Sequence, residues 1–192
     1  MARPSMAAQR IEEILDALES CILTQGIQST SLENIAETAG VKRTILRHYI
    51  GNRDDIICAL SKRWLKKYSE QWQQVIDWLP TNNRAEATIE SLFTVGSTER
   101  INATIIAEAI FSEAKRLPSI KDDQEYIMVE FIEHLSSALK SDHPTADDEQ
   151  IALVSTGIYA HYLMAESLLP LKFIEQVHQL KQTSKLLCTT LD

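Results

Sequence analysis

The side chains from Lys42 to Tyr49 are the ones in this chain best suited to bind another molecule. The stretch KRTILRHY holds basic and hydroxyl groups without an acid, and the next acid is Asp54. Guanidinium groups can donate paired hydrogen bonds to the edge of guanine, and a threonine can contact a thymine methyl or a phosphate. On a helix placed in the major groove, such groups would bind DNA; the alternative is that they only solvate a surface. The candidates are Lys42, Arg43, Thr44, Arg47, His48 and Tyr49.

A short helix and a glycine turn precede the basic stretch and would position it. Apolar residues at i, i+3, i+4 and i+7 predict one buried helical face, formed by Leu32, Ile35, Ala36 and Ala39. Thr30 can cap this helix, and Glu33 can complete a capping box. Gly40 follows where a helix exit favours a left-handed backbone. A second helix with Ile45 facing inwards would complete a helix-turn-helix motif.

The segments next to the motif offer further contacts and a further cap. Thr30 and Ser31 lie at a helix start, where hydroxyl groups can bind a phosphate, although capping alone is the simpler interpretation. Gly51 and Asn52 predict a turn, and Asn52 with Asp55 can cap the helix that follows.

Helical periodicity continues on both sides of the motif. Before it, apolar residues repeat at helical spacing at Ile11, Ile14, Leu15, Leu18 and Ile22. After it, a long helix is expected from Arg53 towards Leu79, and shorter ones near 83–95, 99–116, 121–140, 146–168 and 171–190. Proline-containing breaks separate most of them, and no strand-like alternation persists. The sequence therefore predicts an all-α protein.

Composition and charge narrow the class of protein. The 192 residues are 44% hydrophobic with five glycines and five prolines, which suits a packed helical protein. Residues 1–67 carry ten basic and eight acidic residues, net +2, while residues 68–192 carry nine and nineteen, net −10. This asymmetry favours a DNA-binding head on an acidic body. No apolar run is long enough to span a membrane and no signal peptide is recognisable, so we expect a cytoplasmic protein.

The motif resembles the TetR family of bacterial one-component repressors. The family pattern is a glycine, Ser/Thr before an apolar residue, Ile-Ala, Ala-Gly-Val, a short basic helix and a basic residue opening the fourth helix. The matching positions are Gly26, Thr30–Ser31–Leu32, Ile35–Ala36, Ala39–Gly40–Val41, Leu46 and Arg53. The chain departs from the pattern at Lys42, usually Ser or Thr, which would leave the third helix uncapped. It departs again at Arg47, Tyr49 and Ile50, usually Tyr, His and Phe.

The resemblance implies a division of labour along the chain. Residues 1–52 would form a three-helix DNA-binding domain, and residues 53–192 a helical ligand-binding and dimerisation bundle. Arg53 would contact a phosphate, and the fourth helix would link the two parts. The implied function is a regulator, most simply a repressor, that binds pseudo-palindromic operator DNA as a homodimer. A small, mostly apolar or aromatic effector would release it. The alternative is an interaction protein or an activator without small-molecule control.

Two helices at the C-terminus carry apolar stripes that could form a dimer interface. In the last helix an alternating spacing of four and three is typical of a coiled-coil-like seam. Small residues in the preceding helix, such as Gly157, would allow a close approach. The residues predicted to pair two copies are Ile151, Val154, Ile158, Phe173, Val177, Leu180 and Leu187. Packing within one chain is the alternative interpretation.

The body shows aromatic residues but no pattern of a catalyst. Cys21, Cys58 and Cys188 are scattered, and neither HExxH nor a glycine-rich phosphate loop occurs. We therefore expect no enzyme activity, no metal and no cofactor. An apolar pocket between helices is the better hypothesis, although such residues also build plain cores. The candidate lining residues are Trp64, Phe93, Phe111, Phe131, Tyr159 and Tyr162.

Overall fold

The computed structural model of this protein describes residues 6–191, and within them the predicted all-α fold is confirmed. The helices are α1 (Met6–Gln25), α2 (Leu32–Thr38), α3 (Arg43–Ile50), α4 (Arg53–Trp78), α5 (Arg84–Leu92), α6 (Thr98–Glu113), α7 (Pro118–Asp142), α8 (Asp148–Leu168) and α9 (Ile174–Cys188). A 3-10 turn, Thr189–Leu191, follows α9. None of these helices is long and apolar enough to cross a membrane.

Proline and capping residues explain where several helices begin and end. Pro118 is the first residue of α7, a position where its fixed φ fits and its missing N–H costs nothing. The predicted helix from 121 therefore starts three residues earlier. Asp147 caps α8, because its carboxylate accepts from the N–H groups of Glu149 at 2.9 Å and Gln150 at 3.3 Å. Pro80, Pro144 and Pro170 all lie in connections between helices.

The chain forms two compact units. Unit 1 comprises the chain up to Lys66 together with Ile105–Gln124, and unit 2 comprises Lys67–Thr104 and the chain from Glu125 onwards. Helices α4, α6 and α7 each contribute residues to both units. The functional boundary expected at residue 52 stays a prediction.

Each unit has its own hydrophobic core. In unit 1 the apolar stripe of α1 packs with residues from α2, α3, α4 and α6. The fully buried residues of this core include Ile14, Leu18, Ile35, Leu46, Ile56, Leu60 and Ile110. In unit 2 the core joins α4, α5, α7, α8 and α9, and includes Trp72, Ile89, Phe131, Leu135, Ile158 and Val177. The core of unit 1 holds α2 and α3 in place, and so positions the candidate DNA-contacting side chains.

Candidate nucleic-acid interface

The turn between α2 and α3 is closed by Gly40, whose φ is +64°. The N–H of Val41 bonds to the carbonyl of Ala36 at 2.9 Å, and the N–H of Gly40 bonds to that of Glu37 at 3.1 Å. These two bonds form a Schellman motif, in which glycine is favoured at the left-handed position. The left-handed exit expected from the sequence is confirmed, and it sets the direction in which α3 leaves α2.

The cap of α2 differs from the prediction. Ser31, not Thr30, is the N-cap: its hydroxyl accepts from the N–H of Asn34 at 3.2 Å, and Asn34 Oδ1 accepts from the N–H of Ser31 at 2.9 Å. This is a capping box with asparagine in place of Glu33. The predicted Thr30–Glu33 box was wrong because Thr30 turns inwards, where its hydroxyl donates to the carbonyl of Gly26 at 2.9 Å.

Helix α3 turns one apolar side chain inwards and most of the others towards solvent. Leu46 is fully buried and anchors the helix, while Tyr49 and Ile50 pack partly against the same core. Thr44, Arg47 and His48 are exposed, as the sequence suggested. Ile45 is exposed as well, with 43% of its surface accessible. The expectation that Ile45 faces inwards was wrong, because Leu46 occupies the inward position of this short helix.

The N-terminal end of α3 carries two exposed basic residues in different surroundings. Lys42 is the N-cap residue and makes no side-chain capping bond, so the uncapped helix expected from a lysine at this position is confirmed. Arg43 forms an ion pair with Glu33 of α2, and both side chains are about half exposed. The guanidinium of Arg43 is thus held towards α2 in the free protein.

The other three DNA-contact candidates are Thr30, Ser31 and Arg53, and each makes hydrogen bonds within the protein. Arg53 donates from Nε to the carbonyl of Thr30 at 2.7 Å, and from Nη2 to the carbonyl of Ile27. Thr30 is buried, and the Ser31 hydroxyl is engaged in the cap. Arg53 therefore ties the start of α4 to the loop before α2. Phosphate contacts by Thr30, Ser31 and Arg53 stay predictions, and in this structure these groups already have protein partners.

The start of α4 is capped as the sequence suggested. Asn52 Oδ1 accepts from the N–H groups of Asp54 at 2.8 Å and Asp55 at 3.2 Å. Asp55 in turn accepts from the N–H of Asn52 at 2.8 Å. Gly51 before this cap has a φ of +94°, which any other residue would adopt only with strain.

A buried carboxylate links the loop before α2 to the end of α6, and sequence reasoning missed it. Glu113 is only 1% exposed and accepts from Gln28 Nε2 and from Arg116 Nε, each at 2.6 Å. Arg116 also donates two bonds to the Asp54 carboxylate, at 2.9 and 2.8 Å. Hydrogen bonding from Arg116 lowers the pKa of Asp54 below its usual value. Gln28 and Glu113 are 85 positions apart, so no local pattern could have indicated their contact.

Lys62 and Arg63, further along α4, both pair with acidic side chains of unit 1. Arg63 donates to three acids of α1, to Asp16 and Glu19 at 2.7 Å and to Glu12 at 3.1 Å. Lys62 pairs with Asp123, which is almost fully buried and also accepts from Ser61 at 2.7 Å. These charges therefore serve packing inside unit 1.

Four of the six candidate pocket residues form one aromatic cluster in unit 2. The ring of Phe131 lies 4.8 Å from that of Tyr159 and 5.1 Å from that of Tyr162, and Phe93 lies 6.5 Å from Tyr162. Trp72, 5.2 Å from Phe131, belongs to the same cluster. Burial raises the pKa of the Tyr162 hydroxyl, and the Glu166 carboxylate adds to the effect.

The remaining two pocket candidates lie in unit 1. Trp64 donates from Nε1 to Glu19 at 2.7 Å, and Phe111 is exposed on the second half of α6.

In unit 2, a polar group missed by sequence reasoning accompanies the aromatic cluster. There, Glu166 accepts from Arg100 and from Thr104, each at 2.6 Å.

Most residues expected to pair two copies are buried inside the chain. Ile151, Val154, Ile158 and Val177 belong to the core of unit 2, and Leu180 and Leu187 pack partly against it. Phe173 alone of the seven is exposed. The two C-terminal helices do approach closely, since a Cβ at Gly157 would lie 3.1 Å from Leu187. Most of these apolar side chains hold α8 against α9 within one chain, and pairing of two copies through them stays a prediction.

The described residues contain no group of three or more His, Cys, Asp or Glu that could hold a metal ion.

Comparison with known proteins agrees with the helix-turn-helix geometry. Residues 14–60 match the model of the bacterial regulatory proteins of the tetR family. A TetR transcription regulator from Haloarcula marismortui ATCC 43049 is 16% identical, with a TM-score of 0.78 over 95% of this chain and 97% of that one. A TetR-like regulator from Rhodococcus sp. RHA1 is 18% identical, with a TM-score of 0.71 over 95% and 96% of the two chains.

A fatty acid degradation regulator from Bacillus halodurans is 14% identical, with a TM-score of 0.64 over 100% of this chain and 96% of that one. No curated protein matches the chain by sequence. At these identities the solved structures show a common fold, while the sequence match covers the α1–α4 region that carries the candidate interface. The sequence match in residues 14–60 and the fold shared with these solved structures confirm the resemblance to the TetR family of bacterial transcriptional regulators.

Proposed function

We propose that this protein is a transcriptional repressor that binds pseudo-palindromic operator DNA as a homodimer and is released by a small effector. The observation that carries the proposal is the outward face of α3. Thr44, Arg47 and His48 are exposed there, while Leu46 fastens the helix to the core of unit 1. A rigidly held helix with basic and hydroxyl side chains suits reading of the major groove.

The first test is binding of the purified protein to DNA flanking its own gene, followed by footprinting at two salt concentrations. A symmetric protected site that weakens as salt rises supports the proposal, because phosphate contacts release counterions. Replacing Arg47 by Ala should cost about 1–3 kcal/mol of binding and relax one position of the site. Replacing Arg47 by Lys keeps the positive charge but removes the paired hydrogen bonds of the guanidinium, so it distinguishes the two contributions to binding. If neither this DNA nor a genome-wide selection yields a protected site, the repressor proposal fails.

For the dimer, we place the contact on the outward face of α8 and α9. The exposed residues of α8 between Ala152 and Ser167 carry no formal charge, and they include Ala152, Leu153, Thr156, Ala160, Leu163 and Met164. Apart from His178, the exposed residues of α9 after Gln176 are uncharged, namely Gln179, Gln182, Thr183 and Leu186. We call these residues the α8–α9 outer face.

Charge supports a second copy as the occupant of the α8–α9 outer face. The chain has a net charge of −8, so two copies meeting through a charged surface would repel each other. In a two-fold interface each residue meets the same patch of its partner, which makes a neutral patch the suitable one. Lys181 and Lys185 of α9 pair with Glu90, and Lys185 also with Glu86, so these charges are engaged within unit 2.

For the effector, we propose a small, mostly apolar or aromatic molecule that carries a hydrogen-bond acceptor. It would bind among Phe93, Phe131, Tyr159 and Tyr162. The Nε of Arg100 is buried and has no acceptor among the described residues, so a ligand oxygen could satisfy it. Glu166 already neutralises Arg100, which favours a neutral carbonyl over a carboxylate. Binding would shift the population towards a form with lower operator affinity.

Close packing of the aromatic cluster favours one alternative, a regulator that acts without a small molecule. Ring centroids 4.8–6.5 Å apart fill the space that an effector would need. A panel of neutral aromatic ketones and esters distinguishes the two. Release of bound DNA by a member of the panel, lost in an Arg100→Met variant, supports the effector. Unchanged DNA binding with every member, together with unchanged thermal stability, favours the alternative.

A further inference from the structure

Ile45 is a large apolar side chain that is exposed on α3. Among the described residues between Leu23 and Trp78 it is the only exposed large hydrophobic residue. It is not among the partly buried residues that pack against the core of unit 1, whereas its neighbours Tyr49 and Ile50 are. Leu46 alone provides the fully buried anchor of α3. Ile45 is therefore not part of the core that holds α3 in place.

Helix geometry places Ile45 on the side of α3 that would meet DNA. At about 100° per residue, Thr44 and His48 each lie about 160° around the helix from the buried Leu46. Arg47 flanks this pair on one side and Ile45 on the other, each about 100° from Leu46. The outward face of α3 thus has a basic edge and an apolar edge. A base pair under the apolar edge would meet a β-branched hydrocarbon side chain.

Thymine is the base that offers an apolar group in the major groove, through its C5 methyl. A guanidinium or a hydroxyl cannot gain from that methyl as a hydrocarbon can, because contact with it is rewarded by removal of apolar surface from water. We propose that Ile45 is a specificity-determining residue that selects thymine at one position of each half-site through contact with its methyl group. This rests on the proposed function only in that the protein must bind DNA through α3.

The expected effect is modest and has a distinctive chemical signature. Burial of one methyl-sized group is worth about 0.8 kcal/mol, which corresponds to about a fourfold change in affinity per half-site. Deoxyuridine differs from thymidine by that methyl alone. Replacing the contacted thymine by deoxyuridine should therefore weaken binding by the wild-type protein about fourfold. The same replacement should have no effect on an Ile45→Ala protein, because the partner of the methyl is already gone.

The experiment begins with selection of binding sites from a random DNA duplex pool by the full-length wild-type protein. Each thymine of the selected site is then replaced in turn by deoxyuridine, and affinities are measured for wild type, Ile45→Val and Ile45→Ala. Leu23→Ala is the matched control, since it truncates an exposed hydrophobic side chain on a different helix, α1. Selection is repeated with Ile45→Ala.

We call the loss of affinity on replacing a thymine by deoxyuridine the methyl effect. The inference is supported if one thymine per half-site shows this effect in wild type and in Leu23→Ala. The effect should be smaller in Ile45→Val and absent in Ile45→Ala. The site selected by Ile45→Ala should also lose its preference for thymine at that position alone. If specific sites are selected but every methyl effect persists in Ile45→Ala, the assignment of Ile45 is overturned while DNA binding stands. If the pool yields no specific site, the proposed function fails and the inference fails with it.

Discussion

Arg43 and Arg47 illustrate how two like side chains on one helix acquire different roles. Arg43 is paired with Glu33 of α2, whereas Arg47 is exposed on the outward face of α3. For Arg43 to reach a base or a phosphate, it must first leave its acid. An exposed ion pair is worth about 0.2–1 kcal/mol, so Glu33 acts as a weak competitor of DNA.

Replacing Glu33 by Gln should therefore strengthen DNA binding by a factor of about 1.5 to 5. The measurement is the affinity for the selected site at one fixed salt concentration. Glu37→Gln removes the same charge from another exposed position of α2 and serves as the control. An equal gain in both variants would mean that the general charge of α2, not release of Arg43, is responsible.

Asp54 gives a prediction about pH. Because the hydrogen bonds from Arg116 lower its pKa in the folded state, the folded protein holds this proton less tightly than the unfolded chain does. The stabilisation is fully present above the ordinary aspartate pKa of about 3.9 and is lost as pH falls through the depressed folded value. Asp54→Asn should therefore cost about 0.5–1 kcal/mol of unfolding free energy at pH 7, since the pair is partly exposed.

That difference between wild type and Asp54→Asn should shrink below about pH 4 and vanish at lower pH. Denaturant unfolding at a series of pH values measures it. Asp122→Asn removes a carboxylate from an exposed position of α7 and serves as the control for the loss of one negative charge. A difference that stays constant down to pH 2 would contradict the role given to Arg116.

At the scale of elements, the loop between α1 and α2 is held by side chains from distant helices. Gln28 bonds to the buried Glu113 of α6, and Arg53 of α4 bonds to the carbonyls of Ile27 and Thr30. These contacts fasten the loop to α4 and α6, in addition to the short-range bonds within it. The helix-turn-helix is thus positioned by α4 and α6 as well as by its own sequence.

Replacing Gln28 by Ala should cost about 1–3 kcal/mol of unfolding free energy, because a buried carboxylate loses a donor. Combined with Glu113→Gln, the loss should be clearly less than additive, since the two residues share one contact. Gln25→Ala is the matched control, because the bond from Gln25 Nε2 to the carbonyl of Ser29 is long, at 3.4 Å. Additive losses in the double variant would contradict the importance of this bond.

At the scale of the whole molecule, the α8–α9 outer face determines whether the protein can bind a two-fold site. Ala160 lies near the middle of the exposed part of α8, among uncharged neighbours. A glutamate there would place two like charges across a two-fold interface and leave them partly desolvated. The buried residues that were expected to pair two copies would not be affected.

Ala160→Glu should therefore convert a dimer into a monomer at micromolar concentration and weaken operator binding at least tenfold. Sedimentation velocity gives the mass of the species, and a binding assay with the full site gives the affinity. Ala107→Glu makes the same change at an exposed alanine of α6 and should leave both unaltered. A wild-type protein that sediments as a monomer while binding a symmetric site would remove the dimer from the proposal.

By itself, the sequence determined the all-α class, the approximate helix limits and the helix-turn-helix. Those features depend on local physics, namely helical apolar spacing, proline breaks and the left-handed turn at Gly40. The cap of α4 at Asn52 was predictable for the same reason, since its partners lie within three residues. The uncapped start of α3 also followed from the residue type at Lys42.

Only the tertiary structure decided which face of each helix packs inside the chain and which is left exposed. Periodicity marks an apolar stripe but does not distinguish a stripe that pairs two copies from one that holds α8 against α9. In the eight-residue α3 it likewise could not choose between Ile45 and Leu46 as the inward residue. The partners of Glu113 and Arg53 come from remote parts of the chain, and such contacts exist only once packing has brought those parts together.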